Sequence, residues 1–492
     1  MIDKVKNKGL ALAVLATAQF MVILDATIVN VALPAIQKSL GFTSDAQLQW
    51  IITAYALVFG GFLLLGGRLA DLFGRRKMFL AGIAFFALAS LAGGFAASPE
   101  QLIIFRALQG LGGALLAPAA LSLVLTIFRE GPERNKALGI WSMVAGGGGA
   151  VGLLLGGVLT QYADWRWVFF INVPIAVAVI VAAMKYVPRS LPQAKQRVDY
   201  AGAVTITGSL MSLVYALAQV PEKGWTSLET VGMLILSAAL LAVFIAIESR
   251  IKHPLVKLGV FARRNVSGGV LIQVLMPAAL FGMFFYLSIY MQQILQYTPV
   301  QTGLADVPFT LVLIVVAGVL SRKIAKLNPK VILVIAPLVV AAGLLYFARI
   351  PLHANYVIDI LPGIVLMAIG MAMSFVTTTM VTTNGASHEE SGLISGLLNS
   401  GQQIGGAIGL AVLSVVSTSV IKNDMVALHG NVAALPAAMV HGFQQGFLVA
   451  ALFALGASVI ALVVIRYRKP TKTDIANIAE TEAESLAAVP GV

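Results

Sequence analysis

Residues 50–97 read WIITAYALVFGGFLLLGGRLADLFGRRKMFLAGIAFFALASLAGGFAA. Two apolar runs, Trp50–Gly66 and Met78–Ala97, flank a short turn that gathers Arg68, Arg75, Arg76 and Lys77. Each run approaches the roughly 20 residues that a helix needs to cross a ~30 Å hydrocarbon core. The stretch therefore reads as a helical hairpin in a bilayer with its basic turn in water. The whole chain repeats this pattern. At 59% hydrophobic and 11% charged over 492 residues, with a mean hydropathy of +0.92, it has too little polar surface to coat soluble domains of that size.

Working outward from this hairpin, fourteen apolar segments are expected to span: Leu10–Leu33, Trp50–Gly66, Met78–Ala97, Gln101–Phe128, Ala137–Gln161, Trp167–Val187, Ala201–Val220, Thr230–Ile247, Val266–Leu295, Thr302–Leu320, Val331–Ile350, Tyr356–Val381, Gly392–Val420 and Phe443–Ile465. The first follows Lys4, Lys6 and Lys8 like a signal peptide, but its length marks a spanning helix instead. With alternating sides, 27 of the 33 Lys and Arg residues fall on the side of the two termini, five on the other, and Arg106 lies inside a helix. The positive-inside rule then puts both termini in the cytoplasm of a plasma (inner) membrane protein. The formal charge of +12 is thereby explained as topology, without nucleic acid as a partner.

The basic stretch Gly66–Lys77 has a weaker echo at Ser321–Lys330, each after a spanning helix. Such duplication suggests an N-terminal six-helix bundle over 10–187 and a C-terminal one over 266–467. Between them, residues 188–265 form a linker with two inserted spans, and 468–492 form a cytoplasmic tail. Zero cysteines exclude thiolate metal sites and disulfides. An enzyme lacks a nucleophile or metal cluster, since all five histidines are placed in loops or at helix ends, and an ATP-driven pump lacks a phosphate loop. No cofactor is expected.

Four motifs carry a resemblance. Leu24–Pro34, with Asp25 and Asn30, resembles an acidic first-helix motif, and Gly67–Arg76 resembles a signature loop between helices two and three. Arg106–Gly113 resembles a fourth-helix arginine motif, and Gly139, Gly148, Gly152, Gly156 and Gly157 resemble a fifth-helix antiporter motif. Together they resemble the major facilitator superfamily, in its fourteen-helix drug:proton antiporter branch, over essentially the whole chain. The resemblance implies an all-α fold of two six-helix bundles plus two helices, and proton-coupled efflux of amphipathic, cationic compounds by alternating access. A dedicated exporter of one metabolite, such as an antibiotic or siderophore, is the alternative. Its partners are the small-molecule substrate, protons and the bilayer; any periplasmic adaptor is left open. The antiporter motif normally has proline after its central glycine, and here Leu153 takes that place, which removes the expected bend.

Asp25 interrupts an otherwise uncharged span, where an ionised carboxylate costs roughly 2.5–3.5 kcal/mol on insertion scales, so it faces protein or water. It is either a proton carrier or a fixed structural acceptor for Thr27, Asn30 or a neighbouring helix. Arg106 stays charged and must be paired or snorkel to the interface. Asp306, two residues before Pro308, is either an outer carboxylate or a helix cap. For the cytoplasmic turn, the resemblance implies a gate made of Gly67, Asp71, Gly74, Arg75 and Arg76, with Gly148, Gly152 and Gly156 allowing close helix approach. Asn30, Tyr55, Gln109, Trp141, Tyr286 and Gln402 are the candidates for lining a substrate cavity.

Overall fold

The computed structural model describes residues 7–128, 132–188, 199–251, 254–256, 258–323, 328–383, 388–429 and 431–466. In lipid, backbone N–H and C=O groups must find partners inside their own segment, so each apolar run becomes a helix. In chain order these are α1 (Lys8–Leu40), α2 (Trp50–Phe73), α3 (Arg75–Gly94), α4 (Pro99–Ile127), α5 (Pro132–Tyr162), α6 (Trp167–Tyr186) and α7 (Tyr200–Lys223). There follow α8 (Leu228–Arg250), α9 (Arg264–Ile294, its last turn widened), α10 (Pro299–Lys323), α11 (Pro329–Phe347), α12 (Tyr356–Thr383), α13 (His388–Ala427) and α14 (Leu435–Val463). Thirteen are long and apolar enough to cross a membrane. The fourteenth, α5, is 31 residues long and lies between α1 and α10.

Several helices outrun the apolar segments that announce them. Residues Pro34 to Leu40 continue α1 until Gly41, at φ +74°, stops it, and α13 runs for 40 residues. A helix continues into the interfacial zone as long as its polar residues can reach water, so hydropathy alone places its ends too early.

The start of α1 and the end of α14 lie at one end of the bundle, here called the tail end. There Lys8 pairs with Glu133 at 2.9 Å, and the Asn265 amide donates to the Arg466 carbonyl at 2.9 Å. Helix α1 packs on α5 and α6, and α4 on α2 and α3; α9 packs on α13 and α14, and α11 on α12 and α14. The two sets meet along α2–α13 and α5–α10, while α7 and α8 form a hairpin with α7 against α2 and α13. The outer face of α8 leaves Ile235, Leu241, Val243 and Ile245 exposed, as lipid contact requires.

At the far end, polar contacts join the two sets. Pro34 has no N–H, so the Asn30 carbonyl loses its helical donor. The Ser288 hydroxyl of α9 takes that place at 2.9 Å. One residue on, the Gln292 amide donates to the Val31 carbonyl at 2.9 Å, and Gln293 donates to the side chain of Gln37 at 2.9 Å. The Val300 amide of α10 donates to Gln161 of α5 at 3.3 Å.

Candidate functional site

Five helices converge on Asp25, which is fully buried in the middle of α1. Its Oδ2 accepts from Arg106 Nη1 of α4 at 2.7 Å. Its Oδ1 accepts from the Gln109 amide at 2.7 Å and from the Asn172 amide at 2.8 Å, at the head of α6. Arg106 is 1% exposed; its Nε donates to the Ile51 carbonyl at 2.9 Å, and Nη1 also reaches Gln109 Oε1 at 2.8 Å. The Tyr55 ring lies 4.3 Å from the guanidinium carbon, a cation–π contact. Asn172 Nδ2 also donates to Ser90 of α3 at 3.0 Å, and Ser90 donates to the Phe169 carbonyl at 2.8 Å.

The sequence places these groups through simple spacing. Arg106 and Gln109 are three residues apart and share one face of α4, so both reach one carboxylate. Arg106 is seven residues into α4 from its far-end start, which puts the pair roughly 10 Å below that end at 1.5 Å per residue. Every contact to Asp25 comes from a donor, so the pocket is matched to the ionised carboxylate, which accepts only. Removing water from two charges is costly, and the surrounding hydrogen bonds offset part of that cost.

The arginine is thus paired deep in the protein, and the interfacial snorkelling alternative does not hold. Thr27 and Asn30 are not partners of Asp25. The Thr27 hydroxyl donates back to the carbonyls of Ile23 and Leu24 at 3.1 Å each, and the Asn30 amide to Ala26 at 3.3 Å. Asn172 and Ser90 are site residues that the sequence reading omits. Asn172 left a signal, a polar side chain near the head of an apolar span; Ser90 resembles any small helical serine and left none.

Among its described residues, helix α5 adds no side chain to this network but touches its frame. A Cβ on Gly152 would collide with Thr27 and lie 2.9 Å from the Leu24 carbonyl; one on Gly156 would lie 2.5 Å from the Ile28 carbonyl, and one on Gly148 3.3 Å from that of Phe20. These glycines therefore let α5 lie directly on α1. One residue later in each turn, the helix meets α10: a Cβ on Gly157 would lie 2.6 Å from the Pro299 carbonyl, and the Leu153 carbonyl abuts Gly303. The helix runs unbroken through Leu153.

Asp306 lies seven residues into α10, 2% exposed, so it is no helix cap. Its Oδ1 has no hydrogen-bond partner among the described residues. Gly303, Asp306 and Thr310 recur on one helical face, and Gly303 and Thr310 both abut α5. This second carboxyl therefore belongs to the α5–α10 seam, apart from the Asp25 network.

Of the remaining candidates, Tyr55 and Gln109 join the Asp25 site. Tyr286 is fully buried among Phe285, Phe443 and Phe447, Trp141 is half-buried in the core around α1 to α6, and Gln402 faces the Gln273 amide at a long 3.5 Å. In the α2–α3 turn, Gly74 has φ +95°, which suits glycine. Arg75 donates to the Ser122 carbonyl at 3.4 Å and to the Thr126 hydroxyl of α4, and Arg76 to the Met184 carbonyl of α6 at 2.5 Å. A Cβ on Gly67 would lie 3.7 Å from Pro118. The Asp71 side chain lies outside the described residues.

Comparison with known proteins places this geometry in context. Residues 15–410 match the family described as Major Facilitator Superfamily. The chain is 40% identical over 479 residues to the puromycin resistance protein pur8 of Streptomyces alboniger, covering 96% of this chain and 93% of that protein. It is 33% identical over 414 residues to the multidrug resistance protein Stp of Mycobacterium tuberculosis, covering 83% and 76% respectively. In fold it is similar to a bacterial homolog of the human lysosomal transporter Spinster, with a TM-score of 0.67 and 16% identity, covering 94% of this chain and 98% of that one.

Proposed function

Since the chain belongs to the Major Facilitator Superfamily of membrane transporters, a family of carriers and not enzymes, we propose that it exports amphipathic, cationic small molecules in exchange for protons. The observation that carries this reading is a buried carboxylate surrounded only by donors. A proton on Asp25 introduces an O–H among Arg106, Gln109 and Asn172, so protonation and the present network exclude one another. That makes the network a two-state element. Helix α1 carries both Asp25 and the carbonyls of Asn30 and Val31 that hold the far end shut. Proton uptake at Asp25 thereby acts on the seal.

In this proposal the tail end faces the cytoplasm, and α1–α6 and α9–α14 are the two units that rock. The present arrangement, ionised and shut at the far end, is the step that accepts substrate from the inside. Arrival of a proton from outside, with Asp306 as a second carboxyl on the seam, accompanies substrate release. Tyr55, Gln109, Asn30, Trp141, Tyr286 and Gln402 are the proposed contacts for substrate. The turn with Gly67, Asp71, Gly74, Arg75 and Arg76, and the glycines Gly148, Gly152 and Gly156, are the proposed gating elements. A dedicated exporter of one compound is the second reading, favoured by the 40% identity to a protein named for puromycin resistance.

Everted membrane vesicles with an imposed pH gradient test the proposal, using several chemically unrelated fluorescent cations and puromycin. Wild-type vesicles are expected to accumulate several of them, and Asp25→Asn, expressed at the same level, none. Gradient-driven uptake by Asp25→Asn at the wild-type rate would remove Asp25 from coupling, and uptake of puromycin alone would favour the dedicated exporter.

A further inference from the structure

A second pair of acidic residues lies outside the Asp25 network, in the α7–α8 hairpin at the tail end. Asp199 precedes α7 and Glu248 lies in the last turn of α8; they are 3% and 4% exposed. Each carboxyl spends one oxygen on a backbone amide. Asp199 Oδ1 caps α7 by accepting from Gly202 N at 2.7 Å, and Glu248 Oε2 accepts from Val256 N at 3.1 Å, in the segment that leads into α9. The two remaining oxygens, Asp199 Oδ2 and Glu248 Oε1, are buried and have no partner among the described residues.

These two orphan oxygens converge. A Cβ on Gly202 would collide with Asp199 Oδ2 and lie 2.9 Å from Glu248 Oε1, so both point at the same patch of α7 backbone. Measured through that point, the two oxygens lie within about 5 Å of each other. The residues beside them in the chain, Ala203, Phe244, Leu255 and Val256, belong to an apolar cluster with Leu65 of α2, Val266 of α9, and Ile394 and Leu398 of α13. Among the described residues, the nearby charged or titratable groups are Tyr200 on α7, Arg250 on α8, and Arg263 and Arg264 at the head of α9, all exposed, and Arg68 on α2, half-exposed.

Two ionised carboxylates in contact inside an apolar wall repel each other and leave two acceptors without a donor. One proton placed between them supplies the donor and satisfies both oxygens at once. We infer that Asp199 and Glu248 form a second proton-binding site that holds one shared proton and clamps the α7–α8 hairpin to the segment entering α9. The site is separate from Asp25 and does not depend on the export reading. Loss of the proton puts two anions in contact and loosens the clamp. The polar contacts within the hairpin, Ser209 to the Ser237 carbonyl at 2.8 Å and Tyr215 to Glu229 at 2.7 Å, and the packing of α7 on α2 and α13 do not involve this proton, so the release falls on the junction with α9.

Infrared difference spectroscopy on the purified full-length protein at neutral pH tests this directly. In Glu248→Gln, the new amide N–H donates to Asp199 Oδ2 permanently, and Asp199 ionises. Wild type minus variant is therefore expected to show the loss of one carboxylic-acid carbonyl band with no loss of carboxylate intensity. Asp199→Asn, which keeps the cap oxygen, is expected to give the same spectrum and serves if the first variant fails to fold. Loss of a carboxylate band with the acid band unchanged would overturn the shared proton. Thermal stability supplies an independent readout. The native pair retains a proton that separate carboxyls in the unfolded chain, titrating near pH ~4, have already released. More protons are then bound in the native state, so wild-type stability falls as pH rises from ~4 until the pair gives up its proton, and levels off beyond. The same slope in Glu248→Gln would overturn the clamp.

Discussion

Replacing Asp25 by Asn converts the centre of the buried network from an acceptor into a mixed group, and neither orientation of the new amide fits. With its NH2 on the Oδ2 side it faces Arg106 Nη1, now at 2.7 Å; turned over, it faces the amides of Gln109 and Asn172, now at 2.7 and 2.8 Å. The guanidinium, 1% exposed, keeps its bonds to Ile51 and Gln109 but loses its counter-charge. Breaking a buried pair from one side costs about 3–5 kcal/mol. With an unfolding entropy of about 2.1 cal/mol/K per residue, a chain of 492 residues has a total of about 1 kcal/mol/K. The expected drop in Tm is then about 3–5 °C. The assay is thermal unfolding of the purified protein in detergent for Asp25→Asn, Arg106→Gln and the double variant. With no buried charge left, the double variant should regain most of the loss. A double variant that loses the sum of the two single losses would refute the coupling on which the site rests.

Gly152→Ala should push α5 off α1, because its Cβ meets the Leu24 carbonyl and Thr27, at a cost of about 1–3 kcal/mol. Gly147→Ala, with nothing within 4 Å of its Cβ, is the matched control, and equal losses of thermal stability in the two variants would count against the packing argument. The charge distribution requires that tags on both termini, and a cysteine at position 193, be reached only from the cytoplasm. Position 193 lies outside the described residues, and labelling there by an impermeant reagent added to intact cells would reverse the orientation.

The fourteen helices are legible because bilayer thickness fixes a minimum apolar length, which is a strong constraint on sequence. Helix ends are not legible for the same reason: residues such as Gln37 and Lys38 continue α1 beyond the apolar core at no desolvation cost. Asp25 and Arg106 stand out because charge in an apolar run is expensive, but their partnership is a tertiary fact between helices far apart in sequence. Asn172 gives only a weak signal in the sequence, because an amide near the head of a span is far cheaper than a charge. The role of Pro34 was also hidden, since a missing N–H matters only once Ser288 from another helix is seen to take up the vacated carbonyl. For Asp306, a position shortly before proline suggested a helix start, and the actual start at Pro299 became visible only with the helix in place.

Helix α5 has the build of a drive shaft. One track of glycines, Gly148, Gly152 and Gly156, bears on α1, and a second track offset by one residue, through Leu153 and Gly157, bears on α10. An offset of one residue is about 100° around the axis. Helices α4 and α6 hydrogen-bond the buried carboxylate of α1, α3 joins them through Ser90 and α2 through Arg106, and the described residues of α5 contribute no such pin. With leucine where a proline would have made a joint, the shaft has no elbow. Under the export proposal, a displacement of α1 against the first track is passed to α10 through the second. Added bulk on either track, although the tracks serve different helices, is therefore expected to impair one and the same movement.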